Sequence, residues 1–272
     1  MAAQDARATD GIVAEMDFCI PGQKVIFYPG DRDKSQWPYR PHEVVIRDAR
    51  AVAGELDLER NGFVLVERKS AVRNFYDPDE VARVYIPEVI SLVQELTGAD
   101  KVVTFGTMIR SDAANRQHNL PAFGAHVDYG DRTVRACAKE VLGDEEGERW
   151  LRGRYVLINV WRPITVVRRA PFAVCDASTV AASDLNDSEV RGGLGDPNRP
   201  TLYGYSVSFN PNQRWYYVPE MRPDEALVFK LFDSDSTRVQ WTAHSAFKHP
   251  NTPPDAPPRE SIEIRTISFF AP

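Results

Sequence analysis

Cysteine is scarce in this chain. Only Cys19, Cys137 and Cys175 occur among 272 residues, and none forms a CxxC pair. An odd, low count argues against a disulfide framework and leaves three reduced, mostly buried thiols as the expectation. Positive charge is also short: 33 Lys and Arg stand against 39 Asp and Glu, for a net charge of −6. No stretch gathers the basic stripe that marks nucleic-acid binding, so DNA, RNA and anionic membrane surfaces are poor partners. No apolar run approaches the roughly 20 residues that span a bilayer. The opening MAAQDARATDG lacks the basic and apolar regions of a signal peptide. The expectation is a soluble, cytoplasmic protein. A phosphate-binding glycine loop is missing too, since Gly192-Gly193-Leu194-Gly195 lies in a polar stretch without a strand before it or a helix after it. There is no internal repeat and no convincing domain boundary, so the chain reads as one domain over 1–272, with residues 1 to about 11 frayed.

What is present is a succession of short β-branched and aromatic runs. Lys24–Tyr28, Glu43–Arg47, Phe63–Glu67, Val102–Ile109, Arg154–Trp161 and Phe172–Cys175 have strand character, with Pro163 stopping the fifth. Leu202–Phe209, Trp215–Val218, Ala226–Phe232, Val239–His244 and Ser261–Phe270 follow. Gly, Pro, Asn and Asp punctuate them, which points to a mainly β sandwich or barrel. Two segments differ. Asp77 precedes Pro78 as a helix N-cap would. Val81, Val84, Tyr85, Val89, Leu92, Val93 and Leu96 then repeat at helical spacing, with Pro87 expected to kink that helix and Gly98 to end it. Asp131 to Leu142 predicts a second helix, followed by an acidic turn over Gly143–Gly147.

The chemistry centres on Phe123–Tyr129, FGAHVDY. His126 and Asp128 are two apart, so a strand presents both on one face. With five histidines and 39 acidic residues, chance alone yields roughly 0.7 such pairs, so the motif is weak by itself. Its context strengthens it: a strand-like flank, and small residues Gly124 and Ala125 that permit close approach. Two histidines and a carboxylate on one face of an octahedral ion leave open positions, the arrangement of non-haem iron(II) oxygenases. His244, in the alternating run Val239–Phe247, is the expected third ligand. His249 lies in a Pro-rich loop, which holds a ligand less firmly than a strand. The alternative is a surface ion pair at His126 and a satisfied core histidine at His244.

In Pro258–Phe270, Arg259, Ser261, Glu263 and Arg265 share one strand face, with Ile262 and Ile264 on the other. Arg259 and Ser261 offer a guanidinium fork beside a hydroxyl, suited to a carboxylate such as the far one that 2-oxoglutarate enzymes must anchor. Arg265 stands six residues on, about 20 Å along a strand, so the two arginines cannot grip one carboxylate. Arg259 is preferred and Arg265 is the alternative anchor. Asn159, Trp161 and Arg162 are candidates for the pocket wall. Trp215, Tyr216 and Tyr217 either stack on substrate or pack in the core.

The order His-x-Asp, a long gap, His, a short gap, Arg-x-Ser resembles the iron(II)/2-oxoglutarate dioxygenase superfamily. Asn159–Pro163, Cys175-Asp176-Ala177, Pro223–Lys230, Phe232-Asp233-Ser234 and Arg259–Arg265 resemble, within it, the gibberellin-desaturase-like and AsaB-type hydroxylase/desaturases. The likeness runs from about Val25 to Phe270. It implies a double-stranded β-helix, the jelly roll of cupins, with flanking N-terminal helices. It further implies iron(II), 2-oxoglutarate and O2, and a small secondary metabolite that is hydroxylated, desaturated or converted to a peroxide. Two rivals remain: an iron oxidase of the same fold that needs no 2-oxoglutarate, and a non-catalytic partner of a tailoring enzyme. The sequence leaves oligomeric state open, a homodimer included.

Overall fold

A computed structural model of the protein describes residues 11–29, 31, 33–113, 118–192 and 201–271. The segment expected to fray, up to residue 10, and most of the Gly192–Gly195 stretch lie outside the described residues.

Two sheets carry the fold. The larger runs in the order β1 (Gly11–Cys19), β3 (Tyr39–Asp48), β11 (Trp215–Tyr217), β8 (Phe172–Cys175), β13 (His244–Ala246), β6 (His126–Val127), β10 (Leu202–Val207), β9 (Leu185–Val190) and β2 (Val25–Phe27). The smaller runs β4 (Phe63–Glu67), β12 (Glu225–Asp233), β7 (Tyr155–Pro163), β14 (Glu260–Phe269) and β5 (Lys101–Ser111). This is the mainly β, jelly-roll architecture that the resemblance implies.

The smaller sheet is covered on both faces, which explains why every residue of β7 is buried. Alternation on β14 divides its side chains. Ile262 and Ile264 pack with Val89, Leu92 and Val93 of the helix Ile86–Thr97. Arg259, Ser261, Glu263 and Arg265 face the other way, toward the larger sheet. One strand thus serves an apolar layer with one parity and the site with the other.

The helix forms as its caps dictate. The Asp77 carboxylate accepts hydrogen bonds from the amides of Asp79 and Glu80, and Pro78 follows it. Pro87 does not break the helix. It sits in the first turn of Ile86–Thr97, directly after a π-helical turn at Val81–Tyr85. The wider turn accommodates a residue that has no amide hydrogen to give. Gly98 ends the helix at φ +67°.

Two expectations need correction. Gly143–Gly147 is not simply a turn, because Asp144–Trp150 is helical. Gly143, at φ +81°, separates it from the preceding helix, and Asp144, Glu145 and Glu146 then suit the positive end of a new helix dipole. Nor does a strand run from Val239. Strand pairing begins only at His244, because Trp241 adopts φ +62° and the Thr242 amide donates to the Lys230 carbonyl. The Thr242 hydroxyl donates to the Gly62 carbonyl. This irregular approach fixes where His244 enters the sheet. The sequence reading omits β1 and β9, although Ala14, Met16 and Phe18 of β1 alternate with Glu15 and Asp17 and are buried; β9 carries no clear apolar signal.

Candidate active site

His126 and His244 are direct cross-strand partners on β6 and β13, with ring centroids 4.3 Å apart. Asp128 lies just beyond β6. Its carboxylate oxygens stand 3.5 Å from His126 Nε2 and 3.8 Å from His244 Nε2. The ligand atoms of these three residues all lie within 4.8 Å of one another. Each imidazole is oriented by its other nitrogen: His126 Nδ1 donates to the Gly124 carbonyl at 2.8 Å and His244 Nδ1 to the Thr242 carbonyl at 3.1 Å. Both Nε2 lone pairs are therefore free to bind metal, and the tautomer is set by backbone. Among the described residues this is the one group of three or more metal-capable side chains so arranged. His249 is outside it, near Tyr217 and Phe247.

The electrostatics suit a cation. Burial, with neighbouring His126 adding to it, pushes His244 down to about 3, so the ring stays neutral. Burial by itself raises the Asp128 carboxyl, but His126, Arg265 and His244 around it hold it well below the usual carboxylate range. The Asn159 side-chain amide donates to Asp128 Oδ2 at 3.0 Å, and an Arg265 nitrogen stands 4.0 Å from the same oxygen. Arg265 is itself fixed by Glu263 at 3.1 Å and lies over the Tyr129 ring.

Gly204 on β10 lets the backbone carrying Asp128 approach. A Cβ there would stand 2.4 Å from the Asp128 carbonyl and 2.5 Å from that of Val127. Gly204→Ala should therefore displace β6, costing roughly 1–3 kcal/mol of stability and lowering iron content in the same preparation. A urea melt with metal analysis checks this. An unchanged melt and full iron loading would show that the strands can part without moving Asp128.

The ligand group opens on a small pocket. His126, Asp128, Phe172 and His244 line it from the larger sheet's side, and Arg110, Trp161, Arg259 and Glu263 from the smaller sheet's side. Trp161 and Phe172 stack nearly parallel, 4.8 Å apart, with the Arg259 guanidinium 5.6 Å from the Trp161 ring centre. Arg259 is 1% exposed. It donates one hydrogen bond, to the Ala170 carbonyl, and its Nε has no partner. A buried guanidinium that makes no ion pair among the described residues leaves a strong demand for an anion. Ser261 is buried on the same strand face but is not among the lining residues. Arg265 is engaged with Glu263 and faces Asp128, away from Arg259.

Of the other candidates, Asn159 touches the site through Asp128 and Trp161 is part of its wall. Arg162 turns the other way, donating to the Tyr85 hydroxyl and the Pro223 carbonyl. Trp215 is core, packed edge-on against Phe18. Cys175 is buried, and burial pushes its thiol up to about 12. The sequence reading missed Arg110, whose only local mark is a charge near the end of an apolar strand.

A family model described as an oxidoreductase/YMDC permease-like domain matches residues 20–269. The hydroxylase/desaturase efuI of Hormonema carpetanum is 31% identical over 266 residues, covering 89% of this chain and 88% of that one. The Fe(II)/2-oxoglutarate-dependent dioxygenase nvfI of Aspergillus novofumigatus is 34% identical over 248 residues, covering 89% and 87%. The solved structure of the iron and alpha-ketoglutarate-dependent endoperoxidase NvfI superposes with a TM-score of 0.84 at 30% identity, over 96% of this chain and 98% of that one. Among the described residues no helix is long and apolar enough to cross a membrane. On these matches the chain belongs to the hydroxylase/desaturase family of iron(II)/2-oxoglutarate-dependent dioxygenases.

Proposed function

We propose that this enzyme oxidises a C–H position of a small secondary metabolite, with iron(II) on His126, Asp128 and His244 and the far carboxylate of 2-oxoglutarate on Arg259. One observation carries the reading: three ligand atoms within 4.8 Å of one another share a pocket with a buried guanidinium whose Nε is unpartnered. The donor set fits iron(II), since two neutral imidazoles and one carboxylate leave positions for a keto acid and O2. Iron, O2 and the keto acid supply the oxidising power, with 2-oxoglutarate ending as succinate and CO2. The protein's share is binding and orientation. Asn159 and Arg265 hold the Asp128 carboxylate, and backbone carbonyls hold both imidazoles. Trp161 and Phe172 keep water from the space between metal and arginine.

Hydroxylation, desaturation and peroxide formation are the outcomes open to such a site. The same proposal takes the chain as a single oxygenase domain acting in the cytoplasm, with Ser261 lending its hydroxyl beside Arg259. A homodimer stays an open alternative to the monomer. The test is anaerobic addition of iron(II) and then 2-oxoglutarate, watched for the weak visible charge-transfer absorption of the chelate. A band that needs both additions, and succinate release once air is admitted, is the expected result. No band and no succinate would overturn the reading.

A further inference from the structure

Arg110 stands directly opposite Ser261 in the pairing of β5 with β14. Cross-strand partners point to the same face, so Arg110 joins the face that carries Arg259. The two arginines are diagonal neighbours, at a spacing that long side chains bridge. Both line the pocket that holds the metal-ligand group. Burial, and then the facing charge of Arg110, bring the Arg259 guanidinium below its ordinary value.

Among the described residues no acid pairs with either guanidinium. The hydrogen bond Arg110 makes is to the Leu120 carbonyl, at 2.8 Å. Asp112 is the acid nearest in the ladder, but it accepts from the Arg259 backbone amide at 2.6 Å and pairs with Arg169 at 2.7 Å. Glu263 is engaged by Arg265. Two like charges therefore face one pocket, and the acids that offset Arg259, Asp112 and Glu263, are each bonded to another group and make no ion pair with it. Such a pair of like charges is unfavourable until an anion joins it.

Position along the strand says which end of the anion is received. Arg265, beside Asp128, is four residues from Ser261, about 13 Å along β14. Arg110 is level with Ser261, so it stands at the end remote from the Asp128 support. Resting on the assignment of Arg259 above, we infer that Arg110 is the second guanidinium of a two-arginine clamp, closing from β5 on the far carboxylate of the keto acid.

The clamp separates two ligands that differ only at that end. Iron(II)-loaded protein, kept anaerobic, is titrated calorimetrically with 2-oxoglutarate and with 2-oxopentanoate, which lacks the far carboxylate. Arg110→Ala and Arg110→Gln should each weaken 2-oxoglutarate by about tenfold or more, and leave 2-oxopentanoate and iron content nearly unchanged. Arg110→Lys should recover only part, since an ammonium lacks the fork. Equal weakening of both ligands would place Arg110 at the chelating end or in folding, and unchanged 2-oxoglutarate binding would remove it from the site; either overturns the clamp. Arg259→Ala runs beside them. If it loses 2-oxoglutarate selectively and Arg110→Ala does not, the clamp fails and the Arg259 assignment stands. If neither variant discriminates the two ligands, the assignment of Arg259 fails as well.

Discussion

His126→Ala, Asp128→Ala and His244→Ala should each yield a folded protein that binds iron weakly and releases no succinate, while His249→Ala keeps both properties. Each of the three supplies one of only three protein ligands. Loss of an outer partner of a metal ligand already costs 10–100-fold in affinity, so loss of the ligand itself should cost at least about 100-fold. The fold should survive, because none of the three anchors a strand by its side chain. Their rings and carboxylate are held by hydrogen bonds from or to the Gly124 and Thr242 carbonyls and the Asn159 amide, not the reverse. His249 stands 3.4 Å from the Tyr217 hydroxyl, outside the pocket. Metal analysis after desalting, with a thermal melt of each variant, provides the reading. Near-normal turnover in any of the first three, or iron loss in His249→Ala alone, would show that the wrong donor set has been chosen.

Arg259→Ala should raise the 2-oxoglutarate concentration needed for half-maximal turnover by the equivalent of roughly 2–5 kcal/mol, since a charge-assisted contact is lost and a carboxylate is left buried without a partner. Arg259→Lys should restore only a fraction, because a point charge on a flexible stem cannot reproduce two parallel N–H donors. Arg265→Ala should behave differently. Its guanidinium is held by Glu263 and stands 4.0 Å from Asp128. Its removal should weaken iron binding and leave the 2-oxoglutarate requirement, at saturating iron, nearly as it was. Steady-state titrations of 2-oxoglutarate at fixed iron, and of iron at fixed 2-oxoglutarate, separate the two. The reverse pattern would make Arg265 the anchor and Arg259 a structural residue.

How far the sequence reveals this site depends on the range of the interactions concerned. His126 and Asp128 are legible because strand periodicity is local. So is the division of β14 between Ile262 and Ile264 on one side and Arg259 to Arg265 on the other. The Asp77 cap and the Gly98 stop are equally local. The helix at Asp144–Trp150 is obscured because a run of acids resembles a turn until the dipole of the helix they begin is considered. The loop before His244 is misread as strand because its alternation is real. The partners of Thr242, the Lys230 and Gly62 carbonyls, come from distant parts of the chain. Arg110 is the clearest case. Nothing beside it in sequence distinguishes it, and its place follows only from the register of β5 against β14.

The proposed metal ligands belong to the larger sheet and the arginines to the smaller one. Anything that reaches from iron to Arg259 is therefore a further tether between layers already joined at this point by the Asn159–Asp128 hydrogen bond. Separating the sheets then requires releasing the ligand first, so heat resistance becomes a measure of occupancy. At a hundredfold excess over its dissociation constant, a ligand bound only by the folded protein adds about 2.7 kcal/mol. The melting temperature should climb with keto acid when iron is present and respond far less when it is absent.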